Sequence, residues 1–410
     1  MKAIIILGDG MSDHPVAALN GKTPLMVANK PHIDSISRHG VSGLFETIPK
    51  GQPNGSAVAN LSVLGYDPVE CFSGRGVLEA ASMNVSLGPS DVAMRCNLMC
   101  IDDSGKIKNH SAGHISTKES LALISALNKE LGEGGGDEPV VFHPGVSFRH
   151  LLVLQGGWAS ADFECYPPHD HVGDMEIDRM PYPKSDAARK TVNRIIKVHK
   201  AAREILTNHP VNKARVAAGK DPANTMWVWS PGTKPKMKTF LELFGKSAAV
   251  ISAVDLIQGL GILAGMEKII VEGATGLHDT NYEGKAAAAL LAIEQHDLVY
   301  VHVEATDEAG HSKDLDLKIK CIEYLDDRIV RPILEGLKQR NIESTIAVLP
   351  DHPTPVETGA HASDPVPVSI WTPGIEPDSV NAYDETLVKS GSLGLLKGDQ
   401  FIRRVLGLRF

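Results

Sequence analysis

The chain has 410 residues, and its 41 Lys and Arg stand against 50 Asp and Glu for a formal charge of −9. Hydrophobic residues make up 42% and charged residues 22%, ordinary globular proportions that exclude a disordered, fibrous or coiled-coil chain. A nucleic-acid binder needs a basic field, which the acidic balance lacks, and no uncharged apolar run is long enough to span a membrane.

At about 150 residues per domain this length predicts two or three domains. Residues 3–7 are too short an apolar run for a signal peptide and read as the first buried strand, which ends in Gly8-Asp9-Gly10. Residues 51–55 form a turn-rich loop, followed by Val58, Leu61 and Leu64 at helical spacing. Ser56 therefore stands at a helix N-terminus, in positive potential and close to free backbone N–H groups. Residues 91–101 and 148–154 read as strands, 117–131 as a helix and 132–137 as a flexible loop. The stretch 166–184, rich in Pro, His and Asp, has loop or linker composition. Residues 186–218 are a basic helical stretch, read as a solvated amphipathic helix.

Beyond it, short apolar runs at 247–252, 268–271, 298–303 and 345–349 alternate with helical patterns at 254–264, 284–295 and 314–338. Such alternation predicts an α/β fold, a doubly wound parallel sheet with helices on both faces. The different pattern in the middle predicts an inserted, smaller α+β domain over 85–182, between a first part of the core at 1–84 and a second at 183–410. The five cysteines, at 71, 96, 100, 165 and 321, form no paired framework, so a reducing cytoplasm is expected.

Three predicted strands end at or near an Asp. Strand 3–7 leads to Asp9, strand 298–303 to Asp307 and His311, and strand 345–349 to Asp351 and His352, with His361 soon after. Ligands of open α/β sheets gather at the carboxyl ends of strands, and acidic groups brought together there repel unless a cation binds between them. Singly, each residue has an ordinary explanation: a turn, a helix-surface pair, a cap or a core histidine. Independent turns rarely all fall at strand ends. These oxygen and nitrogen donors are more than one ion needs and suit two divalent metals, and the absence of Cys favours Mn, Zn or Mg. Ser56 is the expected nucleophile, because a metal ion beside it would lower its hydroxyl pKa; the alternative is a simple N-cap.

The segments Gly8-Asp9-Gly10, Gly55-Ser56 through Leu64-Gly65-Tyr66-Asp67-Pro68, Ser73-Gly74-Arg75-Gly76, Thr306-Asp307-Glu308-Ala309-Gly310-His311, Asp351-His352-Pro353-Thr354 and His361 with Asp364-Pro365-Val366-Pro367 resemble the alkaline phosphatase superfamily. More closely, nearly the whole chain resembles the archaeal-type cofactor-independent phosphoglycerate mutases. The resemblance implies an alkaline-phosphatase-like core with one metal on Asp307, His311 and His361 and another on Asp9, Ser56, Asp351 and His352. Mn is the expected ion, with Zn, Co or Mg as alternatives, and no 2,3-bisphosphoglycerate is needed. It also implies that Ser56 takes a phosphoryl group from a small phosphorylated metabolite and returns it to a different hydroxyl, interconverting 3-phosphoglycerate and 2-phosphoglycerate in glycolysis and gluconeogenesis. The inserted domain would close over the substrate, with Arg75, Arg149, His114 and the His169-Asp170 pair as contacts, Arg being the natural bidentate partner of phosphate and carboxylate.

The chain departs from the family pattern in two places. Ala57 and Asn60 stand where the family usually has Asp and His, and His110-Ser111-Ala112-Gly113-His114 replaces Arg-Arg-Ala-Gly-Arg. A subgroup with similar changes has been proposed to be homoserine kinase of threonine biosynthesis, so a phosphotransferase using the same centre is the alternative. No phosphate-cradling G-x-x-x-x-G-K-[ST] loop occurs.

Overall fold

The computed structural model describes residues 2–132 and 137–409. Most of the loop expected over 132–137 thus lies outside the described residues. The chain forms two compact units, one of Met1–Phe72 with Lys236–Phe410 and the other of Ser73–Pro235.

The first unit is built on an eight-stranded sheet in the order Glu267–Ile269, Ala248–Ile251, Leu298–Val303, Lys2–Gly8, Ser344–Leu349, Val366–Trp371, Val41–Phe45, Gly394–Leu396. The first five strands are parallel. Ile4, Ile5, Ile6 and Leu7 are all fully buried, as a central parallel strand covered on both faces requires. On one face Ile4, Ile6, Val299, Val301, Ile346 and Val348 share a core with Ala286, Ile293, Ile322 and Ile333 from the helices. Unlike the parallel sheet expected, Val366–Trp371 runs antiparallel to both its neighbours. Pro365 and Pro367 obscure this strand in the sequence, because proline cannot donate to a ladder. The helix expected over 314–338 is two helices, Leu315–Leu325 and Arg331–Gln339, joined by a π-helical turn at Asp326–Val330. Pro332 has no N–H to give to the preceding turn, and the regular hydrogen-bond ladder is interrupted there.

Register fixes where the chemistry emerges. Gly8 lies opposite Val303, and Leu7 opposite Leu349. The three central strands thus end level, and the segments carrying Asp9, Asp307 and Asp351 leave the sheet side by side.

The second unit is an antiparallel sheet in which Val92–Ile101 pairs with Arg149–Leu154 and Thr225–Thr233, with Val140–His143 and Ile107–Asn109 completing it. Helix Asp186–Asn208 is amphipathic as expected, but its apolar face is not solvated. Ala188, Val192, Ile195, Val198, Ala202 and Leu206 are buried against Val92, Met94, Leu152 and Leu154. Helix Arg75–Ser82 packs on Val92–Ile101 and Thr225–Thr233. These contacts move the boundaries of the inserted unit from the expected 85–182 to Ser73–Pro235. Residues 166–184 are not a linker. They hold two 3-10 turns, Pro168–His171 and Glu176–Arg179, and end in a small hairpin of Phe163–Glu164 with Tyr182–Pro183. No described helix is long and apolar enough to cross a membrane, and all five cysteines are free.

His150 gives the inserted unit a defined acid sensitivity. It is buried, its Nδ1 accepts the Gly145 N–H at 3.0 Å, and burial pushes its pKa down to about 4. The folded unit holds a neutral imidazole that the unfolded chain protonates below about pH 6.5. The stabilisation is therefore complete above that pH and is lost as pH falls toward 4. The urea midpoint of this unit's unfolding should fall over that range, with a shallower slope in His150→Gln.

Candidate active site

Asp9 leaves strand Lys2–Gly8 with its N–H still bonded to Val303 O at 2.9 Å. Gly10 turns the chain at φ +59°, and any side chain there would collide with Asp307 and Thr354. Asp307 and His311 lie one turn apart on the short helix Ala305–His311. His311 Nε2 is 3.0 Å from Asp307 Oδ2, His361 Nε2 is 3.5 Å from Asp307 Oδ1, and the two Nε2 atoms are 2.9 Å apart. His311 Nδ1 is tied to Gly359 O at 2.9 Å, which aims the other nitrogen into the group.

A second group gathers around Ser56. Its Oγ is 3.4 Å from Asp9 Oδ1 and 3.2 Å from His352 Nε2. His352 Nε2 is 3.4 Å from Asp9 Oδ1 and 3.5 Å from Asp351 Oδ2. Ser56 opens helix Ser56–Val63, but Gly55 occupies the cap position and no side-chain cap bond forms. The simple N-cap explanation of Ser56 therefore fails. The two groups meet where the His352 and His361 rings lie 4.1 Å apart. Donor atoms that share one ion at about 2.0–2.2 Å lie about 2.8–3.6 Å from each other, so both groups have the spacing a divalent cation needs.

The electrostatics agree. Asp9 and Asp351 are fully buried and Asp307 nearly so. Burial, then the charges of Asp351 and Asp307, push the Asp9 pKa well above the usual carboxylate range. Burial acts the same way on Asp307, but hydrogen bonds from His311 and His361 outweigh it and hold its pKa down. The same contact raises His311 to about 9. The protein alone thus leaves excess negative charge around Asp9.

Neutral donors fix these groups. Asn60 Nδ2 donates to Asp351 Oδ2 and to Ser56 O, both at 2.8 Å, while Asn60 Oδ1 accepts the Tyr300 hydroxyl. Asp351 Oδ1 accepts the N–H groups of Gly10 at 3.1 Å and His352 at 2.9 Å. Thr354 donates to Asp307, and Thr306 to the Asp9 carbonyl. Fully buried Lys318 pairs with Asp13 at 2.8 Å and donates to Ser12 O and Thr354 O, joining the loops after two strands. His302 Nε2 lies 2.8 Å from Asp9 Oδ2, and its Nδ1 is 3.1 Å from Ser252 Oγ.

Thr354 entered the sequence reading only as part of a motif, without a role, and His302 and Lys318 escaped it, though both left a signal. His302 is the one polar residue in the strand Leu298–Val303, and Lys318 lies on the apolar stripe of Cys321, Ile322 and Leu325.

The expected substrate contacts all lie in the inserted unit, gathered on two aromatic rings. Around Trp229 stand Arg75, 5.8 Å from the ring centre, Arg95 at 4.3 Å and the His169 ring at 5.6 Å. Around Phe148 stand Arg149 at 4.7 Å and the rings of His110 at 5.8 Å and His114 at 6.4 Å. His110 and His169, 6.2 Å apart, join the two sets. Burial, reinforced by neighbouring positive charge, lowers the pKa of His110. Burial lowers that of His169 too, despite the exposed Asp170 carboxylate 3.6 Å away.

A serine set among buried carboxylates and imidazoles, at the strand ends of an α/β sheet, is the arrangement of a phosphoryl-transfer class of enzyme. The comparisons make the class specific. A family model described as 2,3-bisphosphoglycerate-independent phosphoglycerate mutase matches residues 37–212. The enzyme of that name from Methanosarcina acetivorans is 50% identical over 98% of both chains. A probable one from Geobacter sulfurreducens is 45% identical over 99% of this chain and 100% of its own. Among solved structures, the cofactor-independent phosphoglycerate mutase of Thermoplasma acidophilum is 29% identical, with a TM-score of 0.70 and 99% of each chain covered. A protein from Pyrococcus horikoshii, also 29% identical, superposes with a TM-score of 0.83 over 99% of this chain and 96% of that one. The chain belongs to the 2,3-bisphosphoglycerate-independent phosphoglycerate mutase family.

Asn60 is where the site and its stability can be separated from the rest of the fold. Asn60→Ala leaves an Asp351 oxygen and the Tyr300 hydroxyl short of a partner, at a cost of about 1–3 kcal/mol for each orphaned group. A lowered thermal midpoint together with a roughly tenfold or greater loss of kcat is expected, read by calorimetry and by turnover at saturating metal.

Proposed function

We propose that this chain interconverts 3-phosphoglycerate and 2-phosphoglycerate, with Ser56 carrying the phosphoryl group between the two hydroxyls. The observation that carries the reading is the place of Ser56 Oγ, 3.2–3.4 Å from His352 and Asp9 and free of any capping bond. In this reading Asp307, His311 and His361 hold one divalent cation, and Asp9, Ser56, Asp351 and His352 hold the other. Two such ions, Mn first and Zn, Co or Mg as alternatives, would neutralise phosphoryl oxygens and lower the pKa of the Ser56 hydroxyl.

Ser56 Oγ forms a bond to phosphorus as the bond from phosphorus to the C3 oxygen breaks. The proton Ser56 loses is balanced by the one the departing alkoxide takes up. The 2-hydroxyl then attacks the phosphoserine, and Ser56 regains its proton. Asn60 and the Asp351 contacts hold the first turn of helix Ser56–Val63 in place through both steps. Arg75, Arg149, His114 and the His169-Asp170 pair are assigned to the anionic groups of the substrate. The Arg75 Nε, buried without a hydrogen-bond partner, supports that assignment. The three named mutases compared above support phosphoglycerate over homoserine as the acceptor, and the free cysteines fit a reducing cytoplasm.

Ser56→Ala should lower turnover roughly 10³-fold or more while leaving the unfolding curve intact. A pulse of 3-phosphoglycerate should place one phosphoryl group on Ser56 by mass spectrometry. Chelation should abolish turnover in an enolase-coupled assay, with Mn restoring it. An active Ser56→Ala enzyme, or phosphorylation of homoserine by ATP without mutase turnover, overturns the reading.

His110 and His169 carry lowered pKa values, so their charge appears only below the usual histidine range. Binding of the anionic substrate should weaken as pH rises through the range below about 6.5, with KM about 3- to 10-fold higher at pH 6.5 than at pH 5 and little further change to pH 8. The double variant His110→Arg with His114→Arg, charged at both values, should flatten that profile.

A further inference from the structure

We infer that a cavity at the end of the core sheet away from Ser56 binds an aromatic α-amino acid whose ring carries a hydroxyl, L-tyrosine being the simplest. The inference stands apart from the phosphoryl-transfer reading. The cavity has a volume of about 510 Å³, within the range of small-molecule sites. It lies between helix Arg331–Gln339, the start of strand Ser344–Leu349 and the end of strand Val366–Trp371. Trp371 stands opposite Ile346 in an antiparallel ladder, which brings that strand end beside Ser344. The chain then runs roughly 17 Å along Ser344–Leu349 before it reaches Asp351 and the groups around Ser56.

Three features of the cavity define its ligand. Its walls are apolar, with Leu334, Leu337 and Ile342 standing beside the half-buried indole of Trp371 at the margin of the core. An aromatic ring is the group that an indole face and branched side chains accommodate best. Ser344 also lines the cavity, is 1% exposed, and has an Oγ without a hydrogen-bond partner among the described residues. A buried hydroxyl without a partner is costly, and a hydroxyl on the ligand ring can supply one, since each group both donates and accepts.

The third feature is charge. Lys338 and Glu343 are exposed lining residues, and neither forms an ion pair among the described residues. Lys338 answers a carboxylate and Glu343 an ammonium, and an α-amino acid carries both on one carbon. A simple aromatic acid would leave Glu343 unanswered, and an aromatic amine would leave Lys338 so. Burial sets the direction of entry. The ring hydroxyl goes in first toward Ser344, and the zwitterionic end stays at the mouth, near water.

The test is calorimetric titration of the full-length enzyme with L-tyrosine, L-phenylalanine, tyramine and 4-hydroxyphenylacetate. L-Tyrosine should bind with one equivalent, unaffected by saturating 3-phosphoglycerate. L-Phenylalanine, which lacks the hydroxyl, should bind about 5- to 10-fold more weakly. Ser344→Ala should erase that difference without lowering the thermal midpoint of the free enzyme, because the hydroxyl it removes has no partner to lose. Lys338→Gln should weaken L-tyrosine about 2- to 5-fold and leave tyramine unchanged. Glu343→Gln should weaken L-tyrosine and tyramine but not 4-hydroxyphenylacetate. Failure of L-tyrosine to bind up to its solubility limit overturns the inference. So does an undiminished preference for L-tyrosine over L-phenylalanine in Ser344→Ala, or displacement of L-tyrosine by 3-phosphoglycerate. A dimer that Trp371→Glu splits, in a protein that binds no L-tyrosine, would give the cavity to a second copy of this chain instead.

Discussion

Asp9, Asp307 and Asp351 are removed from water at the ends of three neighbouring strands, and their mutual repulsion is the constraint around which the core unit is arranged. Three carboxylates cannot stay ionised together in a low-dielectric interior without compensation. The surroundings answer with oriented dipoles and imidazoles. Backbone N–H groups, Asn60 and Thr354 engage the carboxylate oxygens, and His302, His311, His352 and His361 stand close by. His311, raised to about 9 by Asp307, offsets the charge of that carboxylate, but the donors around Asp9 and Asp351 are neutral dipoles that cancel none, which is why that side of the arrangement suits cations. The level strand ends, the positive-φ turn at Gly10 and the buried Lys318–Asp13 pair hold the charged groups at that spacing.

The two units carry different kinds of chemistry. The core concentrates negative charge and fixed imidazoles, and the inserted unit concentrates guanidinium groups and histidines on Trp229 and Phe148. Aromatic faces suit this second task, because they hold cations in position without consuming their hydrogen-bond donors. Having a histidine of lowered pKa in place of a fixed guanidinium group at 110 makes part of that positive charge conditional on pH.

Much of the core site was legible in the sequence because its residues fall at strand ends, where a strand followed by Asp is a local pattern. The partners that orient them were harder to read. Asn60 looked like a departure from a family pattern, and only the fold reveals that it reaches Asp351, 291 residues away. His302 sits inside an apolar run, where a lone histidine reads as a satisfied core residue. The inserted unit was misjudged at both ends for one reason. Helix Arg75–Ser82 and strand Thr225–Thr233 resemble core elements in pattern, and only their packing on Val92–Ile101 assigns them. The antiparallel strand Val366–Trp371 was hidden by its prolines.

The order of the strands also bears on how the molecule is made. The central strand Lys2–Gly8 has no hydrogen-bonded neighbour until Leu298–Val303 and Ser344–Leu349 exist. At about 5–20 residues per second, a ribosome takes roughly 15–60 s to cover that distance. Throughout that interval four consecutive apolar side chains, Ile4 to Leu7, wait without a sheet to enter. The contiguous segment Ser73–Pro235, by contrast, contains all the partners of its own sheet and can fold as soon as it leaves the exit tunnel. Nascent chains of this topology carry an already folded middle and an unpaired early strand, whose apolar run stays open to aggregation until the last core strands emerge.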